Sequence, residues 1–266
     1  MPTSTRTDPA AAMTLDANEI RFYKEEGYLY LPGLVGEADA AAMRREVIDI
    51  MLALGMTREQ LNKAATAADK LRQTTQYLRN SALDALVNSA RLCGIASQLM
   101  EGPGSLYMPF TAVKSGGGGG RFHFHQDNQY TRFEGPGLNI WFALNPMTPD
   151  NGCLQVVPRS HSRGTLESDD AGDGDAHRKT KIEPADFLPV RMRAGDAIAF
   201  SRLTVHGSGP NVTNEPRVAF AVQFHRDDVC AVWDGQRRLL KGSHRWPIAP
   251  VDRITPPEQK ENLDGH

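Results

Sequence analysis

A mainly β fold with flanking helices is predicted by a change of period and a change of punctuation along the chain. Up to about residue 100, apolar side chains recur at helical spacing; from Ser105 onward, short aromatic and β-branched runs alternate with Gly, Pro, Asn and Asp clusters. The second rhythm is that of an antiparallel sandwich or jelly roll. At 266 residues the chain fits one large domain or two small ones, and decorated β-barrels often reach this size as a single unit.

The elements follow in order. Residues 1–16 are rich in Ala, Thr, Ser and Pro and are expected to be poorly ordered. "DANEIRFYKEEGYLYLPGL" reads as a short helix opened by Asp16 or Asn18 and stopped at Gly27, followed by a strand. "EADAAAMRREVIDIMLALG" carries Ala42, Met43, Val47, Ile48, Met51 and Leu52 at helical spacing, and a second helical region is predicted over Arg58–Met100. The strands then come in "SLYMPFTAVKS", "RFHFHQDNQY", "LNIWFALNPM", "CLQVVPRS", "LPVRMRAGDAIAFS" and "RVAFAVQFH". Residues 162–186, "SRGTLESDDAGDGDAHRKTKIEPAD", are polar, aperiodic and longer than a hairpin loop needs to be, which suits a mobile segment or a lid. From Pro247 the tail reads as irregular. The pattern gives one domain over residues 17–266: helical to about 100, a β core over about 105–225, and an extension over 226–266.

Composition removes several classes of function. With 30 basic against 32 acidic side chains, a net charge of -2 offers no global attraction to nucleic acid or to an anionic membrane. The N-terminal residues lack a signal-peptide core, and nowhere do 18 apolar residues follow one another, so a cytoplasmic protein is expected. Cys93, Cys153 and Cys230 are odd in number and scattered, which argues for buried reduced thiols rather than disulfides or a zinc knuckle.

Chemistry gathers in the strands. A strand sends alternate side chains to one face, so "RFHFHQDNQY" can align His123, His125 and Asp127. An imidazole and a carboxylate two residues apart supply two metal ligands, and a third from a distant strand completes a 2-His-1-carboxylate set with open positions. Alone, H-x-D is weak, because most single histidines are satisfied surface or core residues. "GDAIAFSRLTVHGSGPNVTNEPRVAF" adds a second signal: a strand ends in a polar turn carrying His206, and eleven residues later Arg217 opens another strand. There Arg217, Ala219, Ala221 and Gln223 share one face, opposite Val218, Phe220, Val222 and Phe224. Such a face suits a guanidinium aimed into a cavity, where it can bind a carboxylate in bidentate fashion; an ion pair at a sheet edge is the equal alternative.

"HQD", "NIWFAL", "DNGCLQVVPRSH", "AGDAIAFS", "VHGSGPN" and "RVAF", in this order, resemble the phytanoyl-CoA dioxygenase (PhyH) family of Fe(II)- and 2-oxoglutarate-dependent oxygenases. "FYKEEGYLYLPGLV" is similar to that family's N-terminal segment, so the resemblance spans roughly residues 20 to 225. It implies a double-stranded β-helix, the jelly-roll variant shared with cupin-like proteins. It also implies that His125, Asp127 and His206 ligate iron and that Arg217 binds the distal carboxylate of 2-oxoglutarate. Ser208 would add a hydroxyl there, and Trp141 would wall the cosubstrate pocket, although a core tryptophan is as good an account of Trp141. Lys114 would approach the cosubstrate or lie in an exposed loop, the latter being the default.

The implied reaction uses O2 and 2-oxoglutarate, releases succinate and CO2, and hydroxylates a small-molecule substrate. Related halogenases carry a small residue where this chain has Asp127, which favours hydroxylation, desaturation or cyclisation over halogenation. The glycines at 116–120 are expected to form a flexible surface loop, and Arg121, Arg159 and Arg163 to be solvated. Two alternatives stand beside this reading: a cupin-like metalloenzyme or isomerase using His123 and His125 without 2-oxoglutarate, and a non-catalytic metabolite-binding jelly roll. Substrate identity depends on loops such as 162–186 and "VWDGQRRLLKGSHRWPI", and neither it nor the oligomeric state is written in the pattern.

Overall fold

A computed structural model describes residues 13–63, 73–118, 120–172, 175–181, 184–233, 235–240 and 249–256. Of the expected disordered segment, residues 1–12 lie outside these; Leu15 is buried and its N–H donates to Gln98 Oε1 at 2.9 Å. Helix α1 (Ala17–Glu26) begins where the sequence indicates. Asp16 accepts the N–H groups of Asn18 and Glu19, the Glu19 carboxylate accepts the Asp16 N–H, and Gly27 closes the helix at φ +82°. Asp16→Ala is therefore expected to lower unfolding stability by about 1 kcal/mol, read as a shifted urea midpoint at unchanged slope.

β1 (Tyr28–Leu31) and α2 (Glu37–Ala53) follow, then the short α3 (Arg58–Asn62), α4 (Ala82–Val87) and α5 (Ala90–Leu99). The helical region predicted over Arg58–Met100 is thus broken: residues 64–72 lie outside the described set, and 73–81 are not helical. The reason is long-range pairing. Thr111 donates its N–H to the Thr74 carbonyl at 2.9 Å, while Tyr77 and Arg79 exchange backbone hydrogen bonds with Val251. These partners offer backbone groups an alternative to a helix ladder, and Ser81 then caps α4 by accepting the Asp84 N–H.

The strands are β2 (Gly104–Lys114), β3 (Phe122–His125), β4 (Arg132–Glu134), β5 (Gly137–Ala143), β6 (Leu154–Val156), β7 (Ser168–Gly172) and β8 (Asp175–Thr180). They continue with β9 (Leu188–Pro189), β10 (Ala197–Ser201), β11 (His206–Ser208), β12 (Arg217–Arg226), β13 (Cys230–Trp233) and β14 (Gln236–Leu239). A five-stranded antiparallel sheet runs β1-β10-β5-β12-β2, and a four-stranded sheet runs β3-β11-β6-β9. This is the mainly β, jelly-roll architecture expected. Among the described residues no helix is long and apolar enough to cross a membrane.

Strand alternation sorts the larger sheet into two faces. Val218, Phe220, Val222 and Phe224 pack with Leu138, Ile140 and Phe142 against helix residues such as Val47, Met51, Leu92 and Ile95. On the other face, Ala219 and Ala221 join Trp141, Ile198 and Phe200 in a separate cluster. Burial of each large apolar side chain contributes about 1.5–3 kcal/mol, so the helix-side face anchors the sheet whose opposite face carries the polar residues described below.

Two long segments have more structure than their composition suggests. Within 162–186, β7 and β8 form a hairpin tied down by Thr180 Oγ1, which donates to the Phe124 carbonyl at 3.1 Å, and by the Arg178 N–H, which donates to Tyr130 Oη at 3.1 Å. In the extension, β13 and β14 join β4 in a three-stranded sheet; residues 241–248 and 257–266, with much of "VWDGQRRLLKGSHRWPI" and the proline tail, lie outside the described residues. The glycine run is held rather than loose where it is described: Gly116 and Gly118 donate to the carbonyls of Leu61 and Asn211 at 2.9 and 2.8 Å. Arg121, Arg159 and Arg163 are exposed, Arg159 pairing with Glu26 at 2.7 Å.

Candidate active site

His206 does not sit in a turn; it opens β11, which lies between β3 and β6 and places it directly opposite His125. Gly207 makes this pairing possible, since a Cβ there would stand 2.8 Å from the Phe122 carbonyl oxygen. The expectation that His123, His125 and Asp127 share one strand face needs correction. β3 ends at His125, and Asp127 opens a 3-10 turn over Asp127–Gln129. Long-range hydrogen bonds end the strand: Gln126 Nε2 donates to the Leu203 carbonyl at 2.6 Å, and the Asn128 N–H donates to the Arg202 carbonyl at 3.1 Å.

The turn swings the carboxylate towards the second histidine. One potential ligand atom from each of His125, Asp127 and His206 lies within 4.8 Å of the others, and all three residues are buried. His123 is left out of this cluster. Its carbonyl accepts the Nδ1–H of His125 at 2.7 Å, and the Thr204 carbonyl accepts that of His206 at 2.9 Å. Each bond fixes the tautomer in which Nε2 carries a lone pair, the form that binds a cation. Burial, and after it the neighbouring His206, push the His125 pKa well below the usual histidine value, which favours the neutral ring. Asp127 Oδ2 accepts from Gln223 Nε2 at 3.1 Å and from Asn139 Nδ2 at 3.4 Å, while Oδ1 stands 3.7 Å from His206 Nε2.

The cluster opens into a cavity of about 610 Å³. Trp141, Ser208 and Arg217 form one part of its wall, and Met108, Phe110, Tyr130 and His177 contribute elsewhere, His177 arriving on β8. Arg217 is 3% exposed, with its guanidinium carbon 5.2 Å from the centre of the Trp141 ring. Its Nε finds no hydrogen-bond acceptor, and among the described residues no carboxylate reaches it. Burial brings its pKa down to about 10, partly opposed by the nearby Cys153 thiol. A buried guanidinium without an anion is costly, so the arrangement fits an anionic ligand arriving from the cavity.

Lys114 is not an exposed loop residue. It ends β2 directly opposite Arg217, is fully buried, and donates from Nζ to Ser208 Oγ at 2.7 Å and to the Gly209 carbonyl. Burial first, and the Arg217 charge second, push its pKa well below the usual lysine value. The signal was present in "SLYMPFTAVKS", where Met108, Phe110, Ala112 and Lys114 alternate, but it becomes legible only with the β2–β12 register.

The geometry agrees with relationships across the chain. Residues 23–219 match the family model of phytanoyl-CoA dioxygenase (PhyH). A methylphosphonate hydroxylase of Gimesia maris is 30% identical over 95% of this chain and 95% of its own length. An L-proline trans-4-hydroxylase of Streptomyces griseoviridis is 26% identical, with coverage of 91% and 97%. Among solved structures, EvdO2 of Micromonospora carbonacea var. aurantiaca complexed with 2-oxoglutarate has a similar fold, with a TM-score of 0.67 at 21% identity, covering 86% of this chain and 97% of that one. With a family model matching most of its length and a relative aligned nearly end to end, this chain belongs to the phytanoyl-CoA dioxygenase (PhyH) family of Fe(II)- and 2-oxoglutarate-dependent oxygenases.

Proposed function

We propose that this chain hydroxylates an unactivated C–H bond of a small-molecule substrate in a reaction that consumes O2 and 2-oxoglutarate and releases succinate and CO2, with His125, Asp127 and His206 holding Fe(II). The observation that carries this reading is the convergence of two tautomer-fixed imidazoles and one carboxylate in the same cavity as a buried guanidinium that no carboxylate reaches among the described residues. A cupin-like metal site that dispenses with 2-oxoglutarate leaves Arg217 without a purpose. A non-catalytic jelly roll leaves the metal set without one.

In this reading Arg217 receives the distal carboxylate of 2-oxoglutarate, with the Ser208 hydroxyl and Lys114 beside it and the Trp141 ring as a wall. Bound at the triad, the iron supplies the oxidative chemistry that couples cosubstrate decarboxylation to C–H hydroxylation. The chain orients both reactants and keeps the cavity poor in water, Phe110, Trp141 and Phe200 lining it with apolar surface. The G. maris relative, whose substrate is methylphosphonate, supports a compact polar substrate as the first class to test. Residues 17–266 act as one unit, and a cytoplasmic site of action agrees with three cysteines that remain free thiols.

Anaerobic titration of the apoprotein with Fe(II) and 2-oxoglutarate is expected to give the weak visible charge-transfer band of their chelate. Substrate-dependent succinate should follow on admitting air. Absence of the band, together with absence of succinate across a panel of small phosphonates, amino acids and carboxylates, would overturn the proposal.

A further inference from the structure

Behind Asp127 lies a second buried guanidinium that the proposed chemistry does not use. Arg202 is 3% exposed and contacts only neutral acceptors: the Asp127 and Thr131 carbonyls, at 3.0 and 3.1 Å from Nη2, and Gln223 Oε1, at 2.8 Å from Nη1. Its carbon lies 3.9 Å from the centre of the Phe133 ring and 5.3 Å from that of Tyr107. No carboxylate stands at ion-pair distance from it among the described residues, although burying a cation unpaired is expensive. A space has nonetheless been cleared for it, since a Cβ at Gly137 would come within 2.6 Å of Arg202 Cδ.

Resting on the metal-site reading above, we infer that Arg202 and Gln223 are positioning residues that set which oxygen of Asp127 faces the metal. The two ends of a glutamine amide are nearly equal in shape and opposite in hydrogen-bonding character. Arg202 has only donors, so Gln223 must turn Oε1 to it, and Nε2 is then left to donate to Asp127 Oδ2 at 3.1 Å. The opposite rotamer would set an oxygen against a carboxylate and an NH2 group against a guanidinium. With Oδ2 occupied from behind, Oδ1 is the oxygen presented beside His206. The Arg202 main chain fixes the same unit, since its carbonyl accepts the Asn128 N–H of the turn that carries Asp127. Asn139 adds a longer contact to Oδ2 at 3.4 Å.

The discriminating variant is Gln223→Glu, which keeps the volume and strengthens the bond to Arg202 but removes the donor to Asp127 and brings a like charge to it. If Gln223 only fills space or satisfies Arg202, this variant binds metal as the wild type does. If it positions Asp127, Mn(II) affinity, followed by the EPR signal of the free ion added to apoprotein, falls roughly 10- to 100-fold in protein that keeps the wild-type far-UV circular dichroism. Gln223→Leu, which removes the donor without adding charge, is expected to show the same loss and decides the question should the glutamate variant fail to fold. Wild-type Mn(II) affinity in both variants overturns the inference while leaving the triad intact. Failure of the wild type to bind Mn(II), or unchanged binding by Asp127→Ala, overturns the metal-site reading and this inference with it.

Discussion

Asp127→Ala is expected to abolish metal retention and hydroxylation together. The substitution removes the only carboxylate in the buried cluster and leaves two imidazoles, a set too weak to hold a divalent cation against water. The loss should therefore exceed the roughly 10- to 100-fold that removal of an outer partner costs, with substrate-dependent succinate at background. It also strands the Gln223 and Asn139 amides, each an unsatisfied buried donor costing about 1–3 kcal/mol, so a lower melting temperature should accompany it. Asp127→Asn separates the two effects, because it keeps the volume and an acceptor for Gln223 while removing the charge. Full activity in Asp127→Ala would show that the metal lies elsewhere.

Arg217→Ala is expected to act on the cosubstrate instead. Truncating one partner of a buried, hydrogen-bonded charge pair costs about 2–5 kcal/mol, which corresponds to a roughly thirtyfold or greater rise in the KM for 2-oxoglutarate. At saturating 2-oxoglutarate kcat should change little, as for any interaction made equally in the ground and transition states. Lys114 and Ser208 remain in place and account for residual binding. Arg217→Lys should restore only part of the affinity, since a point charge cannot reproduce a planar fork stacked near Trp141. An unchanged KM in Arg217→Ala would remove 2-oxoglutarate from that end of the cavity.

What could be read from the sequence was what depends on local spacing. Asp16 and Gly27 bracket α1 because caps are local chemistry, and the two faces of β12 follow from a period of two. Resemblance of the motifs supplied the His125, Asp127 and His206 set that the fold brings together. Pairing across the chain was not legible. The non-helical course of residues 73–81 depends on Thr111 and Val251, and the burial of Lys114 depends on its register with Arg217. The end of β3 at His125 depends on Leu203 and Arg202, which are far away in sequence, and no nearby residue announces it. Arg202 was invisible for the same reason: its partners come from the Asp127–Thr131 stretch and from β12.

The two faces of β12 also divide the work of inheritance. Even-numbered positions from Val218 to Phe224 keep the helices attached, while on the other face Arg217 and Gln223 line the cavity and Ala219 and Ala221 between them are buried in a separate apolar cluster. A lineage can therefore exchange one substrate for another by altering Met108, Phe110 or Ala112 on β2, which line the cavity and pair with Gln223, Ala221 and Ala219, without disturbing the helix-facing core. A single inserted or deleted residue in the strand would interchange the two sets and lose both. Selection should accordingly tolerate drift at Met108, Phe110 and Ala112, hold Arg217 and Gln223 on β12, and reject any change in the length of that strand.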